Sequence, residues 1–417
     1  MKKQDYNCRR LLIINHSCGV GSVGKICTQI ADEYERQGTV VKIAYGRKRF
    51  VPKEYKKYAI RIGNSIDVFS HILATRLTDR HGLYSVRATQ KFLKWADEFD
   101  PELLWLHCIH GYYINYELLF EWIKKRPQMQ VRWTQHDCWA ITGHCAHFLK
   151  SKCEKWKIGC DNCPSKRAYP GSLFMDRSRD NYQRKKTAFS SVSNMEIITP
   201  CEWLRGIIGE SFIKEYSSTT NQNKIDLRIF RYTESNLKYE YGAEDKTVVL
   251  AAASVWNESK GFTDVIKLTK MLDDNYVVVI AGLKFLQILG LRKIFYELPK
   301  RCNNIYVYKE SSEKQNVKNH SAVCTNSCVV EPDINNIYKI LTGRNYDSKK
   351  QAKGMHCRVI CHTHINNQSD MAKIYSAADY FINPTYEDTY PTVNLEAQAC
   401  NAIVITYNTG GCAETLV

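Results

Sequence analysis

The most chemically suggestive stretch of the sequence is residues 383–397, where two neighbouring acids precede a predicted helix. Glu387 and Asp388 follow a short apolar strand, and Glu396 lies within the helix that comes next. We predict free backbone amides over residues 392–394, because the first turn of a helix leaves its N–H groups available to an anion. Carboxylates on either side of such a site suit a ligand with hydroxyls and phosphates, such as a nucleotide sugar, although a helix without a ligand gives the same pattern.

A second candidate is the glycine loop near the start of the chain, in which Gly19, Gly21 and Gly24 satisfy the pattern G-x-G-x-x-G. The loop joins a predicted strand to a predicted helix, so its amides could approach a diphosphate. Dinucleotide-binding proteins carry an acid about 20 residues further on, but residues 41–47 contain no carboxylate. Ile26 occupies the hydroxyl position of a phosphate-binding P-loop. An anion or acceptor site and a simple tight turn therefore both remain open.

A third candidate is His136, which follows the predicted strand 131–134 and precedes Asp137. Ligands of open α/β sheets bind beyond the carboxyl ends of the strands, so this is a favourable position. His107 and His110 follow another predicted strand in the same way. On spacing alone, however, a lone histidine is more often structural, and His107 and His110 are weaker candidates than His136.

A cluster of cysteines lies within the loop 138–164. Cys145, Cys153, Cys160 and Cys163 end in a C-x2-C pair, the spacing of a zinc knuckle. Disulfides are rare in a reducing compartment, so clustered thiols there more often bind metal. We predict a structural zinc site, with plain thiols and a redox or disulfide role as the alternatives.

Two series of apolar strands alternating with helices must position these residues. The predicted strands are 11–14, 40–44, 103–106, 131–134 and 195–199, and then 247–252, 277–281, 305–308, 358–361, 380–383 and 403–406. This alternation predicts parallel sheets with helices on both faces. We expect two doubly wound α/β domains, residues 1–215 and 216–417, that face a central cleft and are joined by a polar linker at 216–224. Residues 309–356, rich in Lys, Asn and Ser, are predicted to be a partly disordered surface insertion.

With these motifs in place, the sequence resembles the family-4 glycosyltransferases of the GT-B fold. Within that family it is most similar to a bacterial branch that builds capsular polysaccharides or exopolysaccharides. The likeness rests on residues 12–15 with the glycine loop, on residues 135–145, and on residues 383–411. The resemblance implies two Rossmann-like domains and transfer of a sugar from a nucleotide donor with retention of configuration. It also implies that catalysis needs no divalent metal.

The resemblance also implies roles for individual residues. Asp388 and Glu396 fall on the two acidic positions of the family's E-x7-E motif, where Glu387 lies one residue out of register. His136 matches a histidine near the reacting centre, and Lys260 matches a cation that neutralises the departing diphosphate. The catalytic residues so implied are His136, Lys260 and Asp388. The donor-binding set comprises Gly19, Gly21, Lys260, Glu387, Asp388, Thr392, Val393, Asn394 and Glu396.

The carboxy terminus departs from the family pattern. The chain stops at Val417, soon after Glu414, whereas relatives continue with further helices, so the second domain is expected to be truncated. A catalytically inactive or truncated sugar-nucleotide-binding relative is therefore one alternative function. A P-loop-like NTPase is another, which Ile26 disfavours.

Charge and hydropathy indicate the partners and the compartment. The chain has 417 residues and a net charge of +16, with a basic run between residues 47 and 61. This surplus favours anionic partners, and the run lacks the recognition motifs of nucleic-acid modules, in which aromatic and basic residues alternate. An anionic membrane is therefore expected rather than nucleic acid, with a solvated loop face as the alternative. No apolar run approaches the ~20 residues that span a bilayer. We expect a cytoplasmic protein, peripheral at the inner membrane face, with a glycan or glycolipid acceptor.

Overall fold

A computed structural model describes residues 8–47, 50–296, 305–307, 327–347, 357–363, 365 and 367–417. The chain divides into two units, residues 1–223 and residues 224–417. Each unit is built on its own seven-stranded sheet. All the strand pairs of the described residues are parallel, as the alternation of strands and helices predicts.

The first unit has seven strands and six α-helices in its described part. The strands are β1 (Arg10–Ile14), β2 (Val40–Tyr45), β3 (Ala59–Arg61), β4 (Leu103–Leu106), β5 (Gln130–Thr134), β6 (Met195–Thr199) and β7 (Ser218–Thr220). The helices are α1 (Gly21–Arg36), α2 (Ser65–Thr78), α3 (Val86–Phe99), α4 (Tyr116–Lys124), α5 (Ser178–Phe189) and α6 (Glu202–Gly209). The strand order β3-β2-β1-β4-β5-β6-β7 reverses between β1 and β4. Ligands of doubly wound sheets bind at such a reversal.

Strand β1 lies in the middle of this sheet because its side chains are apolar on both faces. Residues 11–14 are fully buried, as expected for a strand covered by helices on both sides. Ile14 is level with Ala44 of β2 and with Leu106 of β4. The residues that follow these strands, including Asn15 and His107, therefore emerge side by side at one edge of the sheet.

The second unit also has seven strands and six α-helices in its described part. The strands are β8 (Thr247–Ala252), β9 (Tyr276–Leu283), β10 (Ile305–Val307), β11 (Cys328–Val330), β12 (Arg358–Thr363), β13 (Tyr380–Asn383) and β14 (Ile403–Tyr407). The helices are α7 (Leu237–Glu240), α8 (Phe262–Met271), α9 (Phe285–Tyr296), α10 (Ile334–Thr342), α11 (Gln368–Ser376) and α12 (Thr392–Ala399). The strand order is β10-β12-β9-β8-β13-β14-β11.

Helices cover both faces of the second sheet. Successive strand residues point to opposite faces, so Val249 packs in one apolar core and Leu250 in the other. The first core includes Leu268 of α8 and Ile337 of α10, and the second includes Ala397 of α12. The prediction of two doubly wound α/β domains is thereby confirmed.

The segment predicted to be an insertion, residues 309–356, is partly integral to the second sheet. Strand β11 pairs with β14, and α10 buries Ile337 and Leu341 against the core. The prediction is wrong for residues 327–347, because a three-residue edge strand among polar residues gives no recognisable apolar run. Residues 309–326 and 348–356 lie outside the described part of the chain.

The polar stretch predicted to be a linker, residues 216–224, contains an edge strand instead. Strand β7 pairs with β6, level with Ile197 to Thr199. Its residues Ser218, Thr219 and Thr220 are polar because none of them is fully buried. The division between the units consequently follows Asn223, eight residues later than the predicted boundary at 215.

The described helices include none that has both the length and the apolar character required to cross a membrane.

Candidate functional site

The second unit brings Lys260 and Asp388 into direct contact. Lys260 ends the loop between β8 and α8, and Asp388 lies in the loop between β13 and α12. The Lys260 Nζ lies 2.5 Å from Asp388 Oδ2 and also donates to the Glu387 carbonyl oxygen at 3.4 Å. Strands β8 and β13 are neighbours in the sheet, which explains why two loops far apart in sequence meet here.

Glu387 and Asp388 have different partners. Ser259 Oγ donates to Glu387 Oε2 at 2.9 Å, while Asp388 takes the lysine. Glu387 therefore binds the residue that precedes Lys260, whereas Asp388 pairs with the Lys260 ammonium itself. Both carboxylates are partly exposed, so both are accessible to a ligand.

The charge of Lys260 is stabilised by its surroundings. Burial lowers the pKa of the Lys260 ammonium, but the charge of Asp388 and its hydrogen bond outweigh this effect, and the pKa lies above its ordinary value. The Lys260 ammonium is consequently protonated at neutral pH. A fixed cation in a partly buried site is the group that a developing phosphate charge requires.

Gly261 allows the two loops to approach each other. Its φ of 70° is in the left-handed region, and a Cβ at this position would lie 2.0 Å from the Pro384 carbonyl oxygen. The glycine also caps the amino terminus of α8. Any larger residue would push the Lys260 loop away from the loop that carries Asp388.

The amino terminus of α12 only partly matches the predicted anion site. Pro391 is the N-cap residue, and no side chain caps the helix. The Asn394 amide, predicted to be free, instead donates to the Pro391 carbonyl oxygen at 3.1 Å. Thr392 and Val393 are partly exposed and supply the first two amides of the helix.

The Asn394 side chain is structural, which sequence reasoning missed. It is fully buried, accepts a hydrogen bond from Asn383 Nδ2 at 2.9 Å and donates to Thr415 Oγ1 at 2.8 Å. The side chain thus ties the end of β13 and the turn at residues 413–415 to α12. We correct the prediction accordingly. The side chain of Asn394 positions the helix, and its backbone amide is not free to bind a nucleotide-sugar donor.

Glu396 faces the neighbouring helix α11. Its Oε2 accepts a hydrogen bond from the buried hydroxyl of Tyr375 at 3.2 Å. Burial, followed by the Glu396 charge, raises the pKa of Tyr375 well above its ordinary value, so the hydroxyl remains a donor. Glu396 is partly exposed.

A buried carboxylate supports the loop that carries the two acids. Asp264, in the first turn of α8, accepts hydrogen bonds from the hydroxyls of Tyr386 at 2.6 Å and Tyr407 at 2.9 Å. Burial, followed by the hydrogen bond to Asp264, raises the pKa of Tyr386 to about 12. Nothing in the spacing of Asp264 marks it in sequence; the only signal is a tyrosine directly before the two acids.

In the first unit, the glycine loop is shaped by close packing. Gly19 and Gly21 have φ values of 69° and 72°, and α1 begins at Gly21. A Cβ on Gly19 would lie 2.8 Å from Tyr55 Cδ2 and 3.0 Å from Pro52 Cδ. Packing against residues 52–55 is thus one reason for Gly19, and a role of this loop towards a ligand stays a prediction.

His136 belongs to a cluster of histidines at the carboxyl ends of β4 and β5. Its Nε2 lies 3.0 Å from Nδ1 of the buried His107, and the two rings stack with centroids 5.3 Å apart. Burial lowers the pKa of His136 to about 4, so the ring is neutral at physiological pH. A neutral imidazole can accept or donate a hydrogen bond, but it does not supply a cation.

His110 and Asp137 are in hydrogen-bonding contact beside this cluster. His110 Nε2 lies 2.9 Å from Asp137 Oδ2, and His110 Nδ1 contacts the Tyr169 hydroxyl at 3.1 Å. Burial raises the pKa of Asp137, but His110 outweighs it, and the pKa falls well below its ordinary range. One pocket is lined by His107, His110, His136 and Asp137. The structure thus places the three histidines close together, which the sequence alone does not predict.

The four clustered cysteines, Cys145, Cys153, Cys160 and Cys163, line a single pocket. The Gly143 amide donates to Cys160 Sγ at 3.1 Å. Across the residues that the structure describes, no group of three or more His, Cys, Asp or Glu side chains is arranged to hold a metal ion. The four thiols are thus neighbours without metal-binding geometry, and the zinc site stays a prediction.

A buried lysine, Lys185, holds the start of the cysteine-rich loop. Its Nζ donates to the carbonyl oxygens of Trp139 at 2.6 Å and Thr142 at 2.9 Å. Burial lowers the pKa of Lys185 to about 7. Sequence reasoning missed this residue, because a lysine in a basic helix is normally solvent-exposed.

Comparison with known sequences links the second unit to a family. Residues 314–417 match the family described as glycosyl transferases, group 1. The WcaC protein of Escherichia coli strain K12, provisionally described as a colanic acid biosynthesis glycosyl transferase, is 33% identical over 93 residues. That alignment covers 21% of this chain and 22% of the relative, so the chain matches about a fifth of that protein's length.

Comparison with solved structures covers nearly the whole chain. Sucrose-phosphate synthase from Thermosynechococcus elongatus superposes with a TM-score of 0.58 at 12% identity, covering 98% of this chain and 84% of that one. Anabaena HepE, solved with UDP and glucose, gives a TM-score of 0.50 at 12% identity, covering 97% and 82%. At such low identity these matches show the fold alone.

The fold match and the sequence match differ in extent. The chain has two Rossmann-like domains, as in the GT-B fold, and residues 314–417 match the group 1 glycosyltransferase family. The predicted resemblance is confirmed for the residues that these matches cover.

Proposed function

We propose that this protein is a retaining glycosyltransferase that moves a sugar from a nucleotide-sugar donor to a surface-polysaccharide acceptor. The observation that carries the proposal is the Lys260–Asp388 pair, 2.5 Å apart, in a unit of which residues 314–417 match the group 1 glycosyltransferases. A fixed ammonium, two partly exposed carboxylates and a helix amino terminus together suit phosphates and sugar hydroxyls.

The proposed chemistry follows from the charges. As the glycosidic bond to the donor breaks, negative charge develops on the leaving diphosphate and the sugar becomes oxocarbenium-like. Lys260 and the amides of Thr392 and Val393 would stabilise that charge, which is commonly the largest single contribution to catalysis. Because these groups supply the positive charge, we propose that transfer needs no divalent metal, and that the acceptor attacks from the face that the diphosphate leaves.

The carboxylates would orient the donor. Asp388 keeps Lys260 charged and offers its second oxygen to the sugar, and Glu396 would take the ribose hydroxyls. Neutral His136 would contact the sugar near the reacting carbon as a hydrogen-bonding group, since burial holds its pKa at about 4. The glycine loop at residues 19–24 would face the acceptor.

We further propose a lipid-linked glycan as the acceptor. The support is the relationship of residues 314–417 to the glycosyltransferases, the described role of WcaC in colanic acid biosynthesis, and the basic surface of the first unit. A uridine diphosphate sugar is the first donor to test, since HepE was solved with UDP and glucose.

The test is a transfer assay on the full chain. A panel of uridine, guanosine and cytidine diphosphate sugars would be incubated with lipid-linked oligosaccharides, and products would be identified by mass spectrometry. We expect one donor to give a product one sugar heavier, with the donor's anomeric configuration retained in the new linkage. Thermal stabilisation by a donor without transfer would instead favour an inactive binding protein, and magnesium-dependent phosphate release would favour an NTPase.

A further inference from the structure

The solvent-facing side of α2 is apolar. Ile66, Phe69, Leu73 and Leu77 are 77%, 67%, 49% and 42% exposed. Their spacing of three, four and four residues places them in one stripe along the helix. The opposite side of the same helix buries Val68, so this stripe does not belong to the core.

The apolar surface continues beyond the helix. The Leu173 amide donates to the Arg76 carbonyl oxygen at 2.8 Å, which holds residues 173–174 against the carboxy-terminal turn of α2. Leu173 and Phe174 are 56% and 72% exposed. Six large apolar side chains from two separate segments therefore share one exposed surface, an arrangement that commonly marks an interaction site.

Basic residues border this surface. Arg76 is exposed on α2 itself, and Arg61 donates to Ser65 Oγ at 3.0 Å where the helix begins. The preceding residues include Lys53 and Lys56, both partly or fully exposed. The predicted basic run thus ends at Arg61, which contacts the first residue of the helix that carries the apolar stripe.

We propose that the apolar face of α2, together with Leu173 and Phe174, inserts into the surface of an anionic lipid bilayer. A helix with an apolar face and adjacent cations is suited to the boundary between headgroups and acyl chains. A second copy of the chain fits this surface poorly, because self-association would bring the same arginines and lysines together. The inference does not depend on the proposed sugar transfer.

The test is co-sedimentation of the full chain with lipid vesicles, without donor or acceptor. Vesicles of phosphatidylglycerol and phosphatidylcholine in equal parts would be compared with pure phosphatidylcholine. The variant F69S/L73S removes the centre of the stripe. The matched control F285S/L286S removes two apolar residues of the same types from α9, which are 70% and 79% exposed and so at least as accessible as Phe69 and Leu73.

We expect the wild-type chain and the control to bind the anionic vesicles, and F69S/L73S to bind about tenfold more weakly or worse. Binding should also fall as salt rises from about 0.1 M to about 0.5 M. Equal binding by F69S/L73S, or no binding by the wild type, would overturn the proposal. A dimer in light scattering that only F69S/L73S converts to monomer would assign the surface to a second copy instead.

Discussion

The two adjacent carboxylates in the loop after β13 have different partners and different roles. Asp388 contacts the Lys260 ammonium, and Glu387 contacts the Ser259 hydroxyl. The sequence could identify both acids but could not assign their tasks, because only the tertiary structure shows which of them reaches the lysine.

Replacing Asp388 should make the reaction sensitive to alkaline pH. In Asp388→Asn, burial would no longer be offset by a carboxylate, so the pKa of Lys260 would fall and the ammonium would deprotonate as pH rises. We expect a pH–rate profile with an alkaline loss of activity at lower pH than in the wild type. Glu387→Gln is the matched control and should shift the alkaline limb less, because the charge of Glu387 contributes less to the pKa of Lys260 than the charge and hydrogen bond of Asp388. If the two variants have the same profile, Asp388 does not maintain the charge of Lys260.

The buried His71 should make the first unit less stable in acid. The Gly82 amide donates to Nε2 of His71 at 3.1 Å, so the ring proton lies on Nδ1, beside Ser85 Oγ. Burial lowers the pKa of His71 from 6.5 to about 3. As pH falls below 6.5, the unfolded chain therefore gains a proton that the folded chain does not.

The stability that His71 contributes is complete above its unfolded pKa and is lost as pH falls towards its folded pKa. Between about pH 6 and pH 4.5, one such histidine changes the unfolding free energy by about 1.4 kcal/mol per pH unit. We expect denaturant unfolding of His71→Gln to show a slope smaller by about that amount. An unchanged slope would mean that His71 is accessible to protons in the folded state.

The four cysteines give a prediction about metal content. If zinc brings their sulfurs together, freshly purified protein should contain about one equivalent, and a chelator should lower its melting temperature. Cys163→Ser should lose the metal, whereas Cys328→Ser, in the second unit, should keep it. Less than about a tenth of an equivalent in the wild type would leave these residues as plain thiols.

At the scale of elements, the site depends on two loops that follow neighbouring strands. Gly261 lets the α8 loop touch the loop after β13, and Asp264 ties α8 to Tyr386 and Tyr407. These contacts fix the position of Lys260 relative to Asp388. The support is invisible in the sequence, because its members are separated by more than 100 residues.

Gly261→Ala should disturb both stability and activity. The alanine Cβ would meet the Pro384 carbonyl oxygen at 2.0 Å, in a backbone conformation that also disfavours a side chain. We expect a loss of roughly 1–3 kcal/mol in denaturant unfolding, together with reduced donor binding. The control is Gly290→Ala in α9, where a Cβ meets nothing within 4 Å. That change should stabilise the chain by up to about 1 kcal/mol, and similar losses in both variants would contradict the packing argument.

Sequence patterns predict the buried elements well and the edge elements poorly. Strands such as β1, β8 and β9 are predictable because both of their faces are covered, which demands continuous apolar runs. Strands β3, β7 and β11 are three residues long and lie near sheet edges, where a few backbone bonds suffice and polar side chains are tolerated. Helix α2 was not predicted, because its apolar residues lie on both its buried and its exposed sides.

For the whole molecule, the structural match and the sequence match cover different lengths of the chain. The fold extends over both units, whereas the family match covers residues 314–417 only. Lys260 lies before that segment and Asp388 lies within it, yet they are in contact. This contact connects the matched segment to residues that the family comparison does not reach.

The net charge of +16 also acts at this scale. A strongly basic protein attracts anionic surfaces from a distance, and salt screens that attraction. A charge of this size would favour membranes and phosphorylated ligands alike. Specific docking must come from local features such as the apolar face of α2.

The most direct test of the central claim is the rate of sugar transfer by Lys260→Ala with the donor that the panel identifies. The matched control, Lys270→Ala, removes an exposed lysine from α8, the helix that follows Lys260. If Lys260 stabilises the departing diphosphate, kcat should fall by ~10²–10³-fold in Lys260→Ala and remain near the wild-type value in Lys270→Ala. A Lys260→Ala variant that turns over like the wild type would contradict the assignment of this site.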